Sequence, residues 1–183
     1  MDKYGIINKD KTVFVMIDIQ EKFLPAIHKI NEVISNAKIL VEASQILSIP
    51  LIVTEQYPKG LGKTVREIQI PKNAFVLEKV YFSCFGDKVF AQKIKELKPE
   101  SVVLFGIEAH VCLLKTALDA LKENLDVYMI ADAVSSRTPE NKALALERMR
   151  QSGVYIASAE MILFQLLDYA GTEQFKAISK LIK

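Results

Sequence analysis

The chain is expected to fold as a doubly wound, Rossmann-like α/β protein. The expectation is one domain over residues 1–183, built on six parallel strands in the order 3-2-1-4-5-6 with helices on both faces. Three observations predict this. Short apolar runs alternate along the chain with longer segments of helical period. The runs are almost continuously apolar, as in strands buried on both faces, rather than alternating in polarity. No hairpin signal joins neighbouring runs, so each strand is expected to reach the next through a helical crossover. With 183 residues the chain is long enough to bury one sizeable core.

The elements follow in order. TVFVMID (12–18) is the first strand. Val33, Ala37, Leu40, Val41, Ser44 and Leu47 recur at three- and four-residue spacing and mark an amphipathic helix. IPLIVTE (49–55) is the second strand. The segment 56–73 is the longest irregular stretch and carries Pro58, Gly60, Gly62 and Pro71. AFVLEK (74–79) is the third strand, followed by a helix over 87–97. SVVLFGI (101–107) is the fourth strand, with a helix over 111–123. DVYMIAD (126–132) is the fifth, with a helix over 139–151. VYIAS (154–158) is the sixth, and helices over 159–169 and 172–182 end the chain.

Composition narrows the function. Half of the residues are hydrophobic and a quarter charged, an ordinary globular balance. The 24 basic residues are interspersed with 22 acidic ones, for a net charge of +2. A nucleic-acid partner is therefore not expected. No apolar stretch approaches the ~20 residues that span a bilayer, so no membrane partner is expected either. The start, MDKYGIINKDKT, is polar and does not resemble a signal peptide. Two cysteines, Cys84 and Cys112, make neither a disulfide framework nor a zinc motif, and a reducing, cytoplasmic compartment follows.

In open α/β sheets the site lies beyond the carboxyl ends of the strands. There the sequence places Asp18-Ile19-Gln20, Glu55-Gln56-Tyr57, Lys79, Glu108 to Cys112, and Asp132 to Arg137. An acid, a lysine and a cysteine converge on one rim. Cys112 taken alone fits core packing as well as nucleophilic chemistry. Beside Asp18 and Lys79 the second reading gains weight. A thiol attacks as thiolate, and a helix N-terminus, the Lys79 charge and proton transfer to Asp18 could each favour that form. Asp18 ends an apolar strand, so its carboxylate needs a cation, and Lys79 is the candidate. Covalent catalysis would then run through attack by Cys112, with backbone N–H groups at the helix start stabilising the oxyanion.

The stretches FVMIDIQEKF, LEKVYFSCF, LFGIEAHVCLLKTALD and ADAVSSR resemble the isochorismatase-like cysteine hydrolase superfamily over nearly the whole chain. With VTEQYPKGLGKTV and RMRQSG they resemble its branch of isochorismatase domain-containing proteins. The resemblance implies an Asp–Lys–Cys triad, here Asp18, Lys79 and Cys112. It also implies a cis peptide at Ile107–Glu108 and an oxyanion hole from the N–H groups of Glu108 and Cys112. Nicotinamidases of the superfamily bind a metal through histidines after the second strand. The corresponding TEQYPKGLG has none, and the chain holds only His28 and His110, so no metal and no cofactor are expected.

Other residues have plainer alternatives. Phe23, Phe82 and Tyr57 are expected to line a substrate pocket, although core packing is the default for the two phenylalanines. His110 stands two positions before Cys112. On a helix those side chains diverge by about 200°, so His110 is expected to line the pocket rather than act on the thiol. Cys84 has no base nearby in FSCF and is expected to be structural or pocket-lining. PKGLGKT lacks the first glycine of a phosphate loop, since Tyr57 stands there. Ser135, Ser136 and Arg137 could bind substrate, but capping the next helix and holding loops together is the favoured expectation.

The expected function is hydrolysis of a small molecule at an amide-type C–N bond through a thioester, by a homo-oligomer. The alternatives are a non-catalytic binding or scaffold protein that keeps the fold, and a vinyl-ether hydrolase.

Overall fold

A computed structural model describes residues 4–183; Met1–Lys3, the first part of the polar start, lie outside the described residues. Six strands form one parallel sheet: β1 (Thr12–Ile17), β2 (Leu51–Gln56), β3 (Phe75–Lys79), β4 (Ser101–Ile107), β5 (Asp126–Ser135) and β6 (Tyr155–Ala157). Their order is β3-β2-β1-β4-β5-β6, as expected. The helices are α1 (Ile30–Ile46), α2 (Pro58–Leu61), α3 (Lys88–Leu97), α4 (Leu114–Lys122), α5 (Pro139–Gln151), α6 (Ala159–Gln165) and α7 (Glu173–Leu181). α1 packs with α6 and α7, while α4 packs with α5 and with the turn Cys84–Gly86.

Burial explains the strand pattern. Every residue of β1 and β4 is buried, because helices cover both faces of the sheet centre. β3, at the edge, buries only Leu77 and Lys79. Side-chain caps fix the starts of α3, α5, α6 and α7. Asp87 accepts from Val89 and Phe90, Thr138 from Asn141, Ser158 from Met161 and Thr172 from Phe175.

The structure departs from expectation at the functional edge. β1 stops at Ile17 because Asp18 takes the left-handed conformation, φ 56°. β5 runs on to Ser135, three residues past the expected end. An irregularity opposite Leu104–Gly106 lets Val134 and Ser135 pair beside Gly106 and Ile107. The expected helix over 111–123 is split into a π-helical turn, Ala109–Leu113, and α4. The segment Glu21–Ala26 forms a 3₁₀ turn that sequence periodicity did not signal. At the chain end, α6 closes at Gln165, short of the expected 169.

Gly106 sets how closely β4 approaches β1. Its φ is 125°, and a Cβ there would lie 2.0 Å from the Ile17 carbonyl oxygen. Only glycine fits. Gly106→Ala is therefore expected to destabilise the protein by at least about 2 kcal/mol, measured as a lowered urea midpoint. An unchanged midpoint would show that the β1–β4 approach tolerates a side chain.

Candidate active site

Three strand ends supply a buried polar cluster. Asp18 follows β1, Lys79 ends β3, and Thr54 and Gln56 lie at the end of β2 between them. The left-handed turn at Asp18, a conformation Asp tolerates better than most residues, ends the strand beside Thr54, whose carbonyl accepts the Asp18 N–H at 3.1 Å. Thr54 Oγ1 donates to Asp18 Oδ1 at 2.7 Å, and Lys79 Nζ donates to Asp18 Oδ2 at 2.7 Å. Both charged side chains are buried. Lys79 Nζ also donates to Gln56 Oε1 at 2.7 Å and to the Tyr81 carbonyl at 3.2 Å, so all three ammonium protons are engaged.

Cys112 approaches from the fourth strand's crossover. The Ile107–Glu108 peptide is cis. Beyond it the Glu108 carbonyl takes the N–H groups of Val111 (3.1 Å) and Leu113 (3.3 Å), which starts the π-helical turn. Cys112, 7% exposed, hydrogen-bonds through its thiol to the Asp18 carboxylate. Asp18, Lys79 and Cys112 are thus brought together.

The electrostatics differ from the sequence expectation of a favoured thiolate. Burial pushes the Cys112 thiol pKa well up, and the Asp18 carboxylate pushes it further; Lys79 offsets only part of this. Burial also pushes the Asp18 carboxyl up, against the pull of Lys79 and Thr54. Burial pulls the Lys79 ammonium down, but Asp18 and the nearby sulfurs outweigh it and hold it above its ordinary value. Lys79 and Asp18 thus form a buried ion pair at 2.7 Å, and the surroundings of Cys112 disfavour a preformed thiolate. Cys84, fully buried, is pushed up to about 12, with burial the largest cause. Its N–H donates to Thr116 Oγ1 at 3.0 Å, one turn beyond Cys112.

A cavity of about 790 Å³ opens over Cys112. Phe23, Tyr57 and Phe82 line it, with Ala26, Leu61 and Val111. Lys22, Gln56, Glu108 and Arg137 supply its polar lining. His110 is not among the lining residues; its Nδ1 pairs with Ser136 Oγ at 2.9 Å. Ser135 Oγ donates to the His28 carbonyl at 2.6 Å, and Arg137 Nε donates to Glu108 Oε2 at 3.0 Å. These contacts tie the β5 end to its neighbours, and the Glu108 side chain has a partner of its own besides its backbone. Among the described residues no group of three or more His, Cys, Asp or Glu is placed to hold a metal ion. Nor is any described helix long and apolar enough to cross a membrane.

Sequence reasoning placed Gln20 and Glu55 on the rim but gave neither a role. Gln20 is fully buried; its Nε2 donates to the carbonyls of Gln56 (3.0 Å) and Gly62 (2.7 Å), and its Oε1 accepts from Gln56 N–H at 2.8 Å. Glu55 pins the rim loop by accepting from Thr64 N–H (2.7 Å) and Thr64 Oγ1 (2.9 Å). The available signal was a polar residue closing an apolar run, as Thr54 and Glu55 do in LIVTEQ.

Fold and site together define an α/β protein whose binding cavity, floored by a thiol, sits over the carboxyl ends of a parallel sheet. The isochorismatase domain model matches residues 12–161. Isochorismatase domain-containing protein 2 of Danio rerio is 42% identical over 97% of this chain and 90% of its own. Isochorismatase domain-containing protein 1 of Salmo salar is 42% identical over 94% of this chain, which spans only 61% of that longer relative. A solved structure from Caenorhabditis elegans, described as MAR1 ribonuclease, is 38% identical with a TM-score of 0.92, covering 97% of this chain and 92% of that one. The chain belongs to the isochorismatase family, and its fold is that family's hydrolase fold.

Two outcomes test the cluster. Lys79→Met leaves Asp18 buried without its cation and is expected to cost about 3–5 kcal/mol in a denaturant melt. A loss below 1 kcal/mol would mean that Asp18 does not depend on Lys79. Because burial and Asp18 both oppose the thiolate, the Cys112 alkylation rate with iodoacetamide should keep rising through pH 9, while fully buried Cys84 stays slower. A plateau below pH 8 would reveal a preformed thiolate instead.

Proposed function

We propose that the chain is a cysteine hydrolase acting on a small molecule at an amide-type C–N bond. The observation that carries this is the Cys112 thiol bonded to a lysine-held Asp18 at the floor of an apolar-walled cavity. Asp18 takes the thiol proton as Cys112 Sγ attacks the carbonyl carbon. The developing oxyanion is met by the N–H groups of Glu108 and Cys112. The tetrahedral intermediate collapses, the C–N bond breaks, and the amine leaves with the proton held by Asp18. Water, deprotonated by Asp18, then attacks the thioester. The carboxylic acid departs, and Asp18 returns the proton to the thiol. Lys79, with its donors engaged, holds the carboxylate and balances its charge. Phe23, Tyr57 and Phe82 serve as substrate walls.

The relative described as a ribonuclease favours a second reading, cleavage of RNA. The near balance of 24 basic and 22 acidic residues supports the small-molecule reading over it. A homo-oligomer is supported by exposed apolar side chains beside the cavity, Val80, Tyr81, Phe82 and Val89 among them. Two free thiols support a reducing, cytoplasmic compartment.

The test is a panel of amides, ureas, vinyl ethers and RNA offered to the wild type and to Cys112→Ala. An acyl adduct on Cys112 is expected by intact-mass spectrometry, with turnover lowered at least about 10³-fold in Cys112→Ala and in Asp18→Asn. Turnover that survives Cys112→Ala would refute the cysteine mechanism.

A further inference from the structure

We infer that the cavity selects a monoanionic substrate, with Lys22 as the residue that recognises its charge; this rests on the hydrolase reading only for what happens after binding. Charge bookkeeping inside the cavity leads there. At the floor, the Asp18 and Lys79 charges cancel across a 2.7 Å ion pair, and burial opposes ionisation of the Cys112 thiol. An anion entering the cavity therefore meets no net negative charge. On the wall, Glu108 is held by Arg137 at 3.0 Å, and those two charges also cancel. Among the described lining residues this leaves Lys22, which makes no hydrogen bond or ion pair with any described residue.

Lys22 is also held in place at the backbone. It sits in the 3₁₀ turn Glu21–Ala26 between two residues whose N–H groups are fixed. Glu21 donates to the Lys63 carbonyl at 3.0 Å and Phe23 to the Gln20 carbonyl at 3.1 Å. Lys22, an exposed cation, and its chain neighbour Phe23 both line the cavity. Besides Lys22 and the Glu108–Arg137 pair, the wall is uncharged: Gln56 and Tyr57 are polar, and Ala26, Leu61, Phe82 and Val111 are apolar. At about 790 Å³ the cavity is much larger than a simple carboxamide needs. The chemistry that fits is an amide with a compact aryl or alkyl body and one carboxylate or comparable anion. The second charge of a dianion would have to compete with Glu108 for Arg137 or lie against uncharged side chains.

Binding to Cys112→Ala separates recognition from turnover. The probes are 4-carbamoylbenzoate and its neutral counterpart 4-acetylbenzamide, then adipamate and its methyl ester, titrated calorimetrically at low salt. Each anion is expected to bind about two- to fivefold more tightly than its neutral partner, the range of an accessible ion pair. The preference should shrink at about 0.5 M salt, persist in Lys22→Arg and vanish in Lys22→Glu. If neither anion out-binds its partner, or if the preference survives Lys22→Glu, the assignment is overturned. A Lys22-dependent preference without turnover of any probe by wild type would uphold it while counting against the hydrolase reading.

Discussion

The buried contact between Asp18 and Lys79 is the constraint around which the functional edge is organised. Two opposite charges out of water are tolerable only with good geometry and full hydrogen bonding. Here each has it: Thr54 and the thiol complete Asp18, and Gln56 and the Tyr81 carbonyl complete Lys79. These groups come from β1, β2, β3, the loop after β3 and the turn before α4. The sheet order makes that possible, since β2 lies between β1 and β3 and β4 flanks β1 on the other side. Gly106, without a side chain, lets β4 close against Ile17 and so brings the Cys112 turn beside Asp18. The rim loop is drawn in through Gln20 and Glu55, which bond its backbone at Gly62 and Thr64.

Much of this was legible in the sequence because burial leaves a plain record. Strands covered on both faces read as continuous apolar runs, so their number and parallel character follow from TVFVMI, SVVLFGI and their like. The chemistry-bearing residues were legible for the opposite reason: Asp18 and Lys79 are charges where an apolar strand ends. Less visible was anything decided by backbone conformation. The left-handed turn at Asp18, the π-helical turn at Ala109–Leu113 and the irregular pairing that lengthens β5 have no periodicity to betray them. The amide side chains were placed on the rim, but their role was not foreseen. Gln20 and Gln56 carry no charge, so sequence offers no penalty that demands a partner, yet in the fold they hold the strand ends in register. His110, two positions before Cys112, was expected to line the pocket rather than act on the thiol; in the fold its ring nitrogen pairs with Ser136.

The state of Cys112 shows how such a cluster can be both inert at rest and ready to react. Losing the thiol proton to water would leave two negative charges beside one ammonium in a buried place, and burial and Asp18 both resist that. Passing the proton to Asp18 is a different event. It exchanges a thiol and a carboxylate for a thiolate and a carboxylic acid, with Lys79 charged throughout, so the net charge of the buried cluster is unchanged. The desolvation that raises the thiol pKa against solvent therefore opposes internal transfer far less. The same bookkeeping would hold at the later steps of the proposed hydrolysis, in which Asp18 would give the proton to a leaving amine and take one from water. Lys79 need not move a proton at any of them, and with three acceptors around its ammonium it is held as a fixed charge. A thiol activated in this way depends on the carboxylate's position rather than on a depressed pKa of its own. That is why the parts of the fold that place Asp18, from the Gly106 contact to the Thr54 hydroxyl, are as much a condition of reactivity as the cysteine.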